Sequence, residues 1–258
     1  MRITKIVCGL FLISLFFWTD IEAKVLQYVV KGELIEFDVD YESLDKDSKE
    51  LIDAFDYLYK SAISGDASSQ CNLGYLYETG VIVDQDYDMA LYWYKEAAEQ
   101  GNDLAINNIG NAYEKGLGVP QNSKLAAEYY LKSAKMGNAY AQDNLGCMYL
   151  RGDGVPLDYK TANDWILKAA MQGSPNAQNQ IGESYYRGRG LKQDYQKAKE
   201  WWEKSAAQGY PNAMCNLGIL YWNGEGVKKN EKVAIDWLQK AAEAGSFDAV
   251  VILDKITK

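Results

Sequence analysis

Glycine and apolar positions return along most of the chain at a fixed interval of 36 residues. One set of glycines keeps this interval with no insertion or deletion: Gly65, Gly101, Gly137, Gly173, Gly209 and Gly245. A second set, each member preceded by Leu or Ile, keeps the same interval: Gly74, Gly110, Gly146, Gly182 and Gly218. A constant period of this length predicts stacked pairs of helices, because each pair buries its apolar faces against the next.

The first helix of each repeat, which we call helix A, is predicted from apolar residues spaced four positions apart. In the third repeat, Ala141, Leu145 and Tyr149 lie on one helical face. Asn138 precedes them as an N-cap, and Gly152 follows them as a C-cap. The glycine that follows Leu or Ile inside the helix is expected to let a neighbouring helix approach closely.

The second helix of each repeat, helix B, follows a short glycine-containing turn. In the third repeat it begins after Asp158 and carries Ala162, Trp165 and Ala169 on its apolar stripe. The other repeats also place a large aromatic residue at the position of Trp165: Trp93, Tyr129, Trp201 and Trp237. Helical spacing accounts for these rings, so we expect them in the core rather than in a ligand site.

The first 23 residues predict an export signal. Arg2 and Lys5 form a basic start, and the apolar run over residues 6–18 is shorter than a membrane span. This layout is typical of a secretion signal. We expect cleavage after Ala23, with an uncleaved anchor as the alternative. The mature chain would then be a periplasmic or secreted protein of a bacterium, with no membrane span.

Residues 24–43 precede the repeats and do not follow their pattern. They could form a hairpin around Lys31 and Gly32, or a tail that orders only with a partner. The repeats themselves need caps at both ends, since a bare repeat would expose its stacking face. The remaining assignments are a capping helix over residues 44–65, five repeats over 66–245 and a C-terminal capping helix over 246–258.

The charge balance and the missing histidine remove several classes of function. The chain has 27 Lys and Arg against 36 Asp and Glu, a formal net charge of −9 that disfavours nucleic-acid binding. It has no histidine, which excludes Ser-His-Asp and Cys-His catalysis. Asp84, Asp86 and Asp88 alternate as at the start of a calcium loop but lack its glycine and closing Glu. We therefore expect no metal and no cofactor.

The columns of the third repeat form a highly specific pattern: Ala141, Leu145, Gly146, Tyr149, Gly152, Gly154, Val155, Asp158, Ala162, Trp165, Ala169, Ala170 and Gly173. The pattern resembles the Sel1-like repeat, a relative of the tetratricopeptide repeat, and covers residues 66–245. The resemblance implies an all-α fold, a right-handed α/α superhelix (solenoid) of five 36-residue repeats with helix A on the concave side. It also implies a scaffold or adaptor that binds a peptide or protein. Because the chain lacks histidine and any other recognisable catalytic arrangement, we expect that it is not an enzyme.

Recognition is expected at helix A positions that face the groove. An amide side chain precedes the Leu or Ile in every repeat: Asn72, Asn108, Asn144, Gln180 and Asn216. This column could hold the backbone of an extended peptide, or it could bridge helices within the scaffold. Seven residues later, three successive repeats carry a cation: Lys115, Arg151 and Arg187. These cations could bind an acidic segment or a free C-terminus of the partner, or they could only complement the helix dipole. Arg189 adds a further charge in the fourth loop.

Two other functions stay open at this point. Some cysteine-rich secreted relatives are associated with β-lactam binding or hydrolysis, but they carry paired cysteines in each repeat. Here Cys71, Cys147 and Cys215 remain after the signal, and their odd number and wide spacing predict buried free thiols. The other alternative is a structural envelope protein that assembles with copies of itself through the ends of the array.

Overall fold

The structure is a computed structural model that describes residues 24–30, 33–39 and 44–256. The predicted export signal lies outside the described residues, as does the Lys31–Gly32 pair. Strand β1 (Lys24–Val30) pairs antiparallel with strand β2 (Glu33–Val39), in a register that joins Lys24 to Val39 and Val30 to Glu33. The two strands form a two-stranded sheet ahead of the helices.

Residues 44–256 contain twelve helices. In chain order these are α1 (Lys46–Ile63), α2 (Ala67–Thr79), α3 (Tyr87–Glu99), α4 (Asp103–Lys115), α5 (Ser123–Lys135), α6 (Ala139–Arg151), α7 (Tyr159–Met171), α8 (Pro175–Arg187), α9 (Tyr195–Ala206), α10 (Pro211–Asn223), α11 (Glu231–Glu243) and α12 (Phe247–Ile256). The even-numbered helices from α2 to α10 are the five A helices, and the odd-numbered ones from α3 to α11 are the five B helices. The predicted all-α array of helix pairs is confirmed.

The ends of the A helices follow the predicted capping chemistry at all but one position. The side chains of Asp66, Asn102, Asn138 and Ser174 each accept a hydrogen bond from a backbone N–H of the first helical turn. Tyr210 stands at the same position before α10 and makes no such bond. Each A helix ends on a glycine with left-handed backbone, for example Gly152 at φ 69°. The helices are therefore delimited by local chemistry, and Tyr210 needs a separate explanation.

The chain divides into two compact units, Met1–Gln121 and Asn122–Lys258, which we call the N-terminal and C-terminal units. In the N-terminal unit, Tyr59 of α1 packs in one core cluster with Leu73 and Trp93. In the C-terminal unit, Ile166 of α7 packs in one cluster with Ile181 of α8. Each unit thus buries apolar residues from successive A and B helices.

The structure corrects the predicted role of the recurrent aromatic residues on the B helices. Trp93 is buried, whereas Trp165, Trp201 and Trp237 are only half-buried. A lysine three residues later lies over each of these three rings, with its Nζ 3.9 Å from the Trp165 centroid, 4.2 Å from that of Trp201 and 5.1 Å from that of Trp237. These rings therefore seal the edge of the core with a charged cover instead of filling its centre.

The fully enclosed position on each B helix is the next residue in sequence. The members of this column are Tyr94, Tyr130, Ile166, Trp202 and Leu238, none more than 2% exposed. A Cβ added at Gly182 would lie 2.5 Å from the Trp202 ring, and one added at Gly74 would lie 2.6 Å from the Tyr94 ring. The glycine inside helix A thus makes room for one large side chain of helix B, because any side chain of its own would overlap it.

Candidate binding site

The two columns predicted for recognition are unevenly exposed. Asn72 is exposed, while Asn108, Asn144, Gln180 and Asn216 are half-buried. The cations Lys115, Arg151 and Arg187 are all exposed and stand in the last turns of α4, α6 and α8. Asn72, Asn108 and Lys115 belong to the N-terminal unit, and the other five candidates belong to the C-terminal unit.

Several amides of the first column make hydrogen bonds inside the scaffold. The Nε2 of Gln180 donates to Oδ1 of Asp143, one repeat earlier, over 2.9 Å. The Nδ2 of Asn216 donates to Oδ1 of Asn179 over 3.0 Å. Both bonds join neighbouring A helices, so these two side chains help to fix the spacing of the repeats. The amide column is therefore partly structural, and each bonded amide has less capacity left for a ligand.

Two of the predicted residues meet in one pocket of the C-terminal unit, which we call the arginine pocket. Its volume is about 100 Å³. It is lined by residues from the third and fourth repeats: Leu150, Tyr159, Gln180, Glu183, Ser184, Arg187 and Arg189. Gln180 and Arg187 thus lie together in this pocket, whereas Asn144 and Arg151 do not line it. The sequence columns contain the two polar candidates, but they carry no sign that Leu150 and Tyr159 close the other side.

The two arginines are carried by different elements, a helix and the loop that follows it. Arg187 is in the last turn of α8, where its Nε lies 3.9 Å from Oε2 of Glu183. Arg189 is in the loop that follows, and its backbone oxygen accepts a 2.7 Å hydrogen bond from Nδ2 of the buried Asn163 on α7. Its guanidinium carbon is 5.9 Å from the centroid of the Tyr159 ring. Asn163 and Tyr159 thus hold the loop and its cation beside the pocket.

The charge of the arginine pocket favours an anion. Two guanidinium groups face one carboxylate, that of Glu183, and Gln180 and Ser184 add neutral polar groups. A guanidinium offers a planar fork of donors that matches the two oxygens of a carboxylate. The arrangement can therefore bind an acidic side chain or a chain terminus, and the exposed positions of both arginines leave them accessible to a partner.

A buried polar network lies directly behind Gln180. Asp143 is 8% exposed, and its carboxylate accepts hydrogen bonds from Gln180 Nε2 and from Asn176 Nδ2, the latter over 2.7 Å. The hydroxyl of Tyr210 in turn donates to Asn176 Oδ1 over 2.7 Å. Tyr210, which stands at the N-cap position of α10, thus joins this network instead of capping the helix. Burial raises the pKa of Asp143 above its ordinary value of 3.8, and the hydrogen bonds from Asn176 and Gln180 offset part of this rise.

The repeat pattern also matches a known protein family. The model of the Sel1 repeat matches five consecutive segments: residues 67–102, 103–138, 139–174, 175–210 and 211–246. The chain belongs to the Sel1 repeat family. Sel1 repeat proteins are generally scaffolds for protein interaction and are typically not enzymes. No curated protein matches the chain.

Solved structures of Sel1 repeat proteins are similar to this chain. A protective antigen of uropathogenic Escherichia coli with an SLR fold is 37% identical, with a TM-score of 0.73 over 78% of this chain and 43% of its own. This chain therefore spans less than half of that protein. A Sel1 repeat protein of Oxalobacter formigenes is 31% identical, with a TM-score of 0.74 over 81% of this chain and 86% of its own. A Sel1 repeat protein of Klebsiella pneumoniae, 22% identical over 79% and 99% with a TM-score of 0.53, shares the fold.

The described part of the chain offers neither a membrane-spanning helix nor a set of metal ligands. Within residues 44–256, no helix is both long and apolar enough to cross a membrane. The described residues also contain no cluster of three or more Cys, Asp or Glu side chains placed to hold a metal ion. Cys71 and Cys215 are buried free thiols. Cys147 is half-buried, and its Sγ donates to Gln180 Oε1 over 3.2 Å.

Proposed function

We propose that this Sel1 repeat protein is an exported scaffold that binds an acidic segment or a free C-terminus of a protein partner. The partner would lie along the A helices of the C-terminal unit, with a carboxylate in the arginine pocket. The observation that carries the proposal is the convergence of Arg187, Arg189 and Gln180 on one pocket in a chain of net charge −9. The family background of protein interaction supports the class of ligand.

The fifth repeat supplies a natural template for removing the cations. Asn223 and Glu225 stand there at the positions that Arg187 and Arg189 hold in the fourth repeat. The double variant Arg187→Asn with Arg189→Glu therefore uses residues that the same fold already accepts, and it lowers the charge by three. A matched control is Lys228→Glu with Lys232→Asn, which changes the charge equally at two exposed lysines of the fifth repeat.

Binding is measured by fluorescence anisotropy with a labelled peptide of six aspartates, once with a free C-terminus and once amidated. Loss of two charge-assisted contacts should weaken binding by about 30-fold or more in the pocket variant. The lysine control should bind nearly as the wild type does. Equal affinities of the pocket variant and the wild type would reject the proposal. A preference for the free over the amidated peptide would identify a C-terminus as the ligand, and no preference would identify an acidic segment.

Export is the second part of the proposal, and it is supported by the basic start and apolar run of residues 1–23. One relative of this chain is a protective antigen, which is compatible with a location outside the cytoplasm. Expression of the 258-residue chain in a bacterium should give a periplasmic or secreted protein. Mass spectrometry should find Lys24 as its first residue. An intact chain in the cytoplasm would contradict export. A chain that stays in the membrane with Met1 present would contradict cleavage and support the uncleaved anchor.

The observations favour neither alternative function. A hydrolase of the cysteine-rich type would have paired cysteines, and none of the three described cysteines forms a disulfide. Assembly through the ends would require α12 to accept a further B helix. Asp254 stands in α12 where the A helices carry their internal glycine. Because even an added Cβ at Gly182 or Gly218 would lie within 2.6 Å of a helix B side chain, Asp254 opposes such stacking.

A further inference from the structure

Asp143 is a buried acidic residue that touches the arginine pocket only through a pocket residue. Its Oδ1 accepts from Nε2 of Gln180 over 2.9 Å, and Gln180 lines the pocket. On the other side of the same amide, Sγ of Cys147 donates to Gln180 Oε1 over 3.2 Å. An acceptor on the nitrogen side and a donor on the oxygen side fix which way the amide of Gln180 points.

The second oxygen of Asp143 is fixed in the same manner. It accepts from Nδ2 of Asn176, whose Oδ1 accepts from the hydroxyl of Tyr210, so that both amide groups around the carboxylate have a single allowed orientation. The network spans the A helices of the third and fourth repeats and the start of the fifth. An ionised Asp143 can only accept, so it holds both amides with their N–H groups toward itself.

We propose that Asp143 is a positioning residue of the arginine pocket: its side chain sets the orientation of the Gln180 amide, and uptake of a proton by Asp143 tightens the binding of an acidic ligand. The inference rests on the proposed function. Two effects act in the same direction. A protonated Asp143 holds the Gln180 N–H groups less strongly and so leaves them available to an anion, and it no longer repels the ligand with a buried negative charge.

Among the titratable groups in this region, Asp143 is the one whose proton uptake we expect to change the affinity for the acidic ligand. The titratable groups around this network are Cys147, which donates to Gln180, and Glu183 and Tyr210, since Asp143, Glu183 and Cys147 all act on the Tyr210 hydroxyl. The Lys, Asp and Glu side chains of α5 and α7, which also pack against α6, are all exposed. Burial raises the pKa of Asp143 above its ordinary value, so Asp143 takes up a proton at a higher pH than an exposed aspartate does.

The test compares the wild type with Asp143→Asn, which keeps the size of the side chain and removes its charge. Anisotropy with the six-aspartate peptide is measured between pH 7.5 and 5.5, where the carboxylates of the peptide stay ionised. The variant should bind about fivefold tighter than the wild type at pH 7.5, the order expected for loss of one nearby charge. Any proton uptake by Asp143 within this range should raise the wild-type affinity toward that of the variant, and the variant should change little.

Asp164→Asn is the matched control, because Asp164 is an exposed acid of α7 outside the network. Its affinity and pH profile should follow those of the wild type. If Asp143→Asn also follows the wild type at every pH while the arginine variant loses binding, the role of Asp143 is rejected and the proposed function stands.

A second readout does not depend on the peptide. The side-chain amide signals of Gln180 in a nitrogen-15 spectrum should move with pH in the wild type, with a midpoint above 3.8, and should stay constant in Asp143→Asn. Movement of these signals without any peptide binding would reject the proposed function but keep Asp143 as the residue that orients Gln180. Constant signals in the wild type would reject the positioning role itself.

Discussion

The arginine pocket and its counterpart two repeats earlier show how one scaffold position can be open in one unit and closed in the other. In the N-terminal unit, Glu78 and Tyr87 stand where the C-terminal unit has Leu150 and Tyr159. The hydroxyl of Tyr94 donates to Oε2 of Glu78 over 2.6 Å, and a cavity of only about 10 Å³ is left there. In the C-terminal unit, Ile166 replaces Tyr94, and the pocket opens to about 100 Å³.

The fourth and fifth repeats close the next position by similar means. The hydroxyl of Tyr186 donates to Oε2 of Glu225 over 2.6 Å, and Nδ2 of Asn223 donates to the same oxygen over 3.1 Å. Tyrosine–glutamate pairs thus occupy two of these positions, whereas the position between the third and fourth repeats is an open pocket with two arginines. Because the residues shared by all repeats stabilise the fold, a binding site is expected where one repeat differs from its neighbours.

The two units also differ in net charge, and the difference favours an acidic ligand in the C-terminal unit. Residues 44–121 hold five lysines against fourteen Asp and Glu, a net charge of −9, and residues 122–258 hold eighteen Lys and Arg against fifteen Asp and Glu, a net charge of +3. An acidic ligand is therefore repelled by the residues of the N-terminal unit and attracted by those of the C-terminal unit. Both the local and the overall charge favour the arginine pocket.

The largest effect is expected from closing the pocket with the residues of the N-terminal unit. Leu150→Glu with Ile166→Tyr would rebuild the Glu78–Tyr94 pair beside Arg187 and Arg189. The introduced carboxylate would fill the pocket and neutralise one arginine, so affinity for the six-aspartate peptide should fall by about 30-fold or more. Anisotropy measures the affinity, and circular dichroism checks the fold. A folded double variant that still binds with wild-type affinity would contradict the claim that the open pocket binds the peptide.

A large effect on stability is expected from Gly182→Ala. Alanine favours a helix over glycine by about 1 kcal/mol, so an uncrowded site would gain stability. Here the new Cβ would lie 2.5 Å from the rigid Trp202 ring, and overlap of this kind costs about 1–3 kcal/mol. Urea unfolding should show a lower free energy of unfolding for the variant. A gain in stability would show that the internal glycine is not needed for close packing.

A smaller effect is expected from Tyr94→Phe, which removes the donor that closes the N-terminal position. Loss of the 2.6 Å bond leaves Glu78 without that partner and should lower the free energy of unfolding by about 1 kcal/mol. Tyr92→Phe on the same helix is the control, since Tyr92 is 50% exposed. The control should change the free energy of unfolding by less than about 0.5 kcal/mol. Equal changes in the free energy of unfolding for both variants would show that the Tyr94–Glu78 hydrogen bond does not stabilise the closed position.

The smallest effect concerns the pH dependence of stability and is expected from Asp143→Asn. Because burial raises the folded-state pKa of Asp143, its stabilising contribution is present below pH 3.8 and is lost as the pH rises through the raised pKa. The asparagine side chain cannot ionise, so the variant does not lose stability in this way as the pH rises. Its free energy of unfolding, relative to that of the wild type, should therefore increase between pH 4 and pH 7. A difference that decreases over this range would contradict the burial of an ionised carboxylate.

The sequence was sufficient for the fold because the signals of the fold recur in every repeat. The internal glycines, the caps and the 36-residue interval each depend on contacts that all repeats share. The column of buried side chains was misplaced by one residue: Trp202, not Trp201, lies over Gly182. Adjacent helix positions differ by only about 100° around the axis, so a stripe of aromatic residues leaves its most buried member undefined.

The candidate site was harder to predict because it depends on pairs of residues from different repeats. Arg187 and Gln180 stood in the predicted columns, but the pocket also needs Leu150 and Tyr159 from the preceding repeat, and Leu150 stands where the first repeat has Glu78. The structural use of Gln180 depends on Asp143, a residue in a column that is not acidic in the other repeats. Such combinations become visible only when the helices are placed side by side.

The most direct test of the account is to map the bound six-aspartate peptide on the protein by nuclear magnetic resonance. Backbone amide signals should be followed during a titration of the isotopically labelled chain. We predict that the perturbed residues cluster at 150–159 and 180–190, around the arginine pocket. A cluster at the equivalent residues 78–87 and 108–117, or shifts scattered over both units, would contradict the claim that the open position in the C-terminal unit is the binding site.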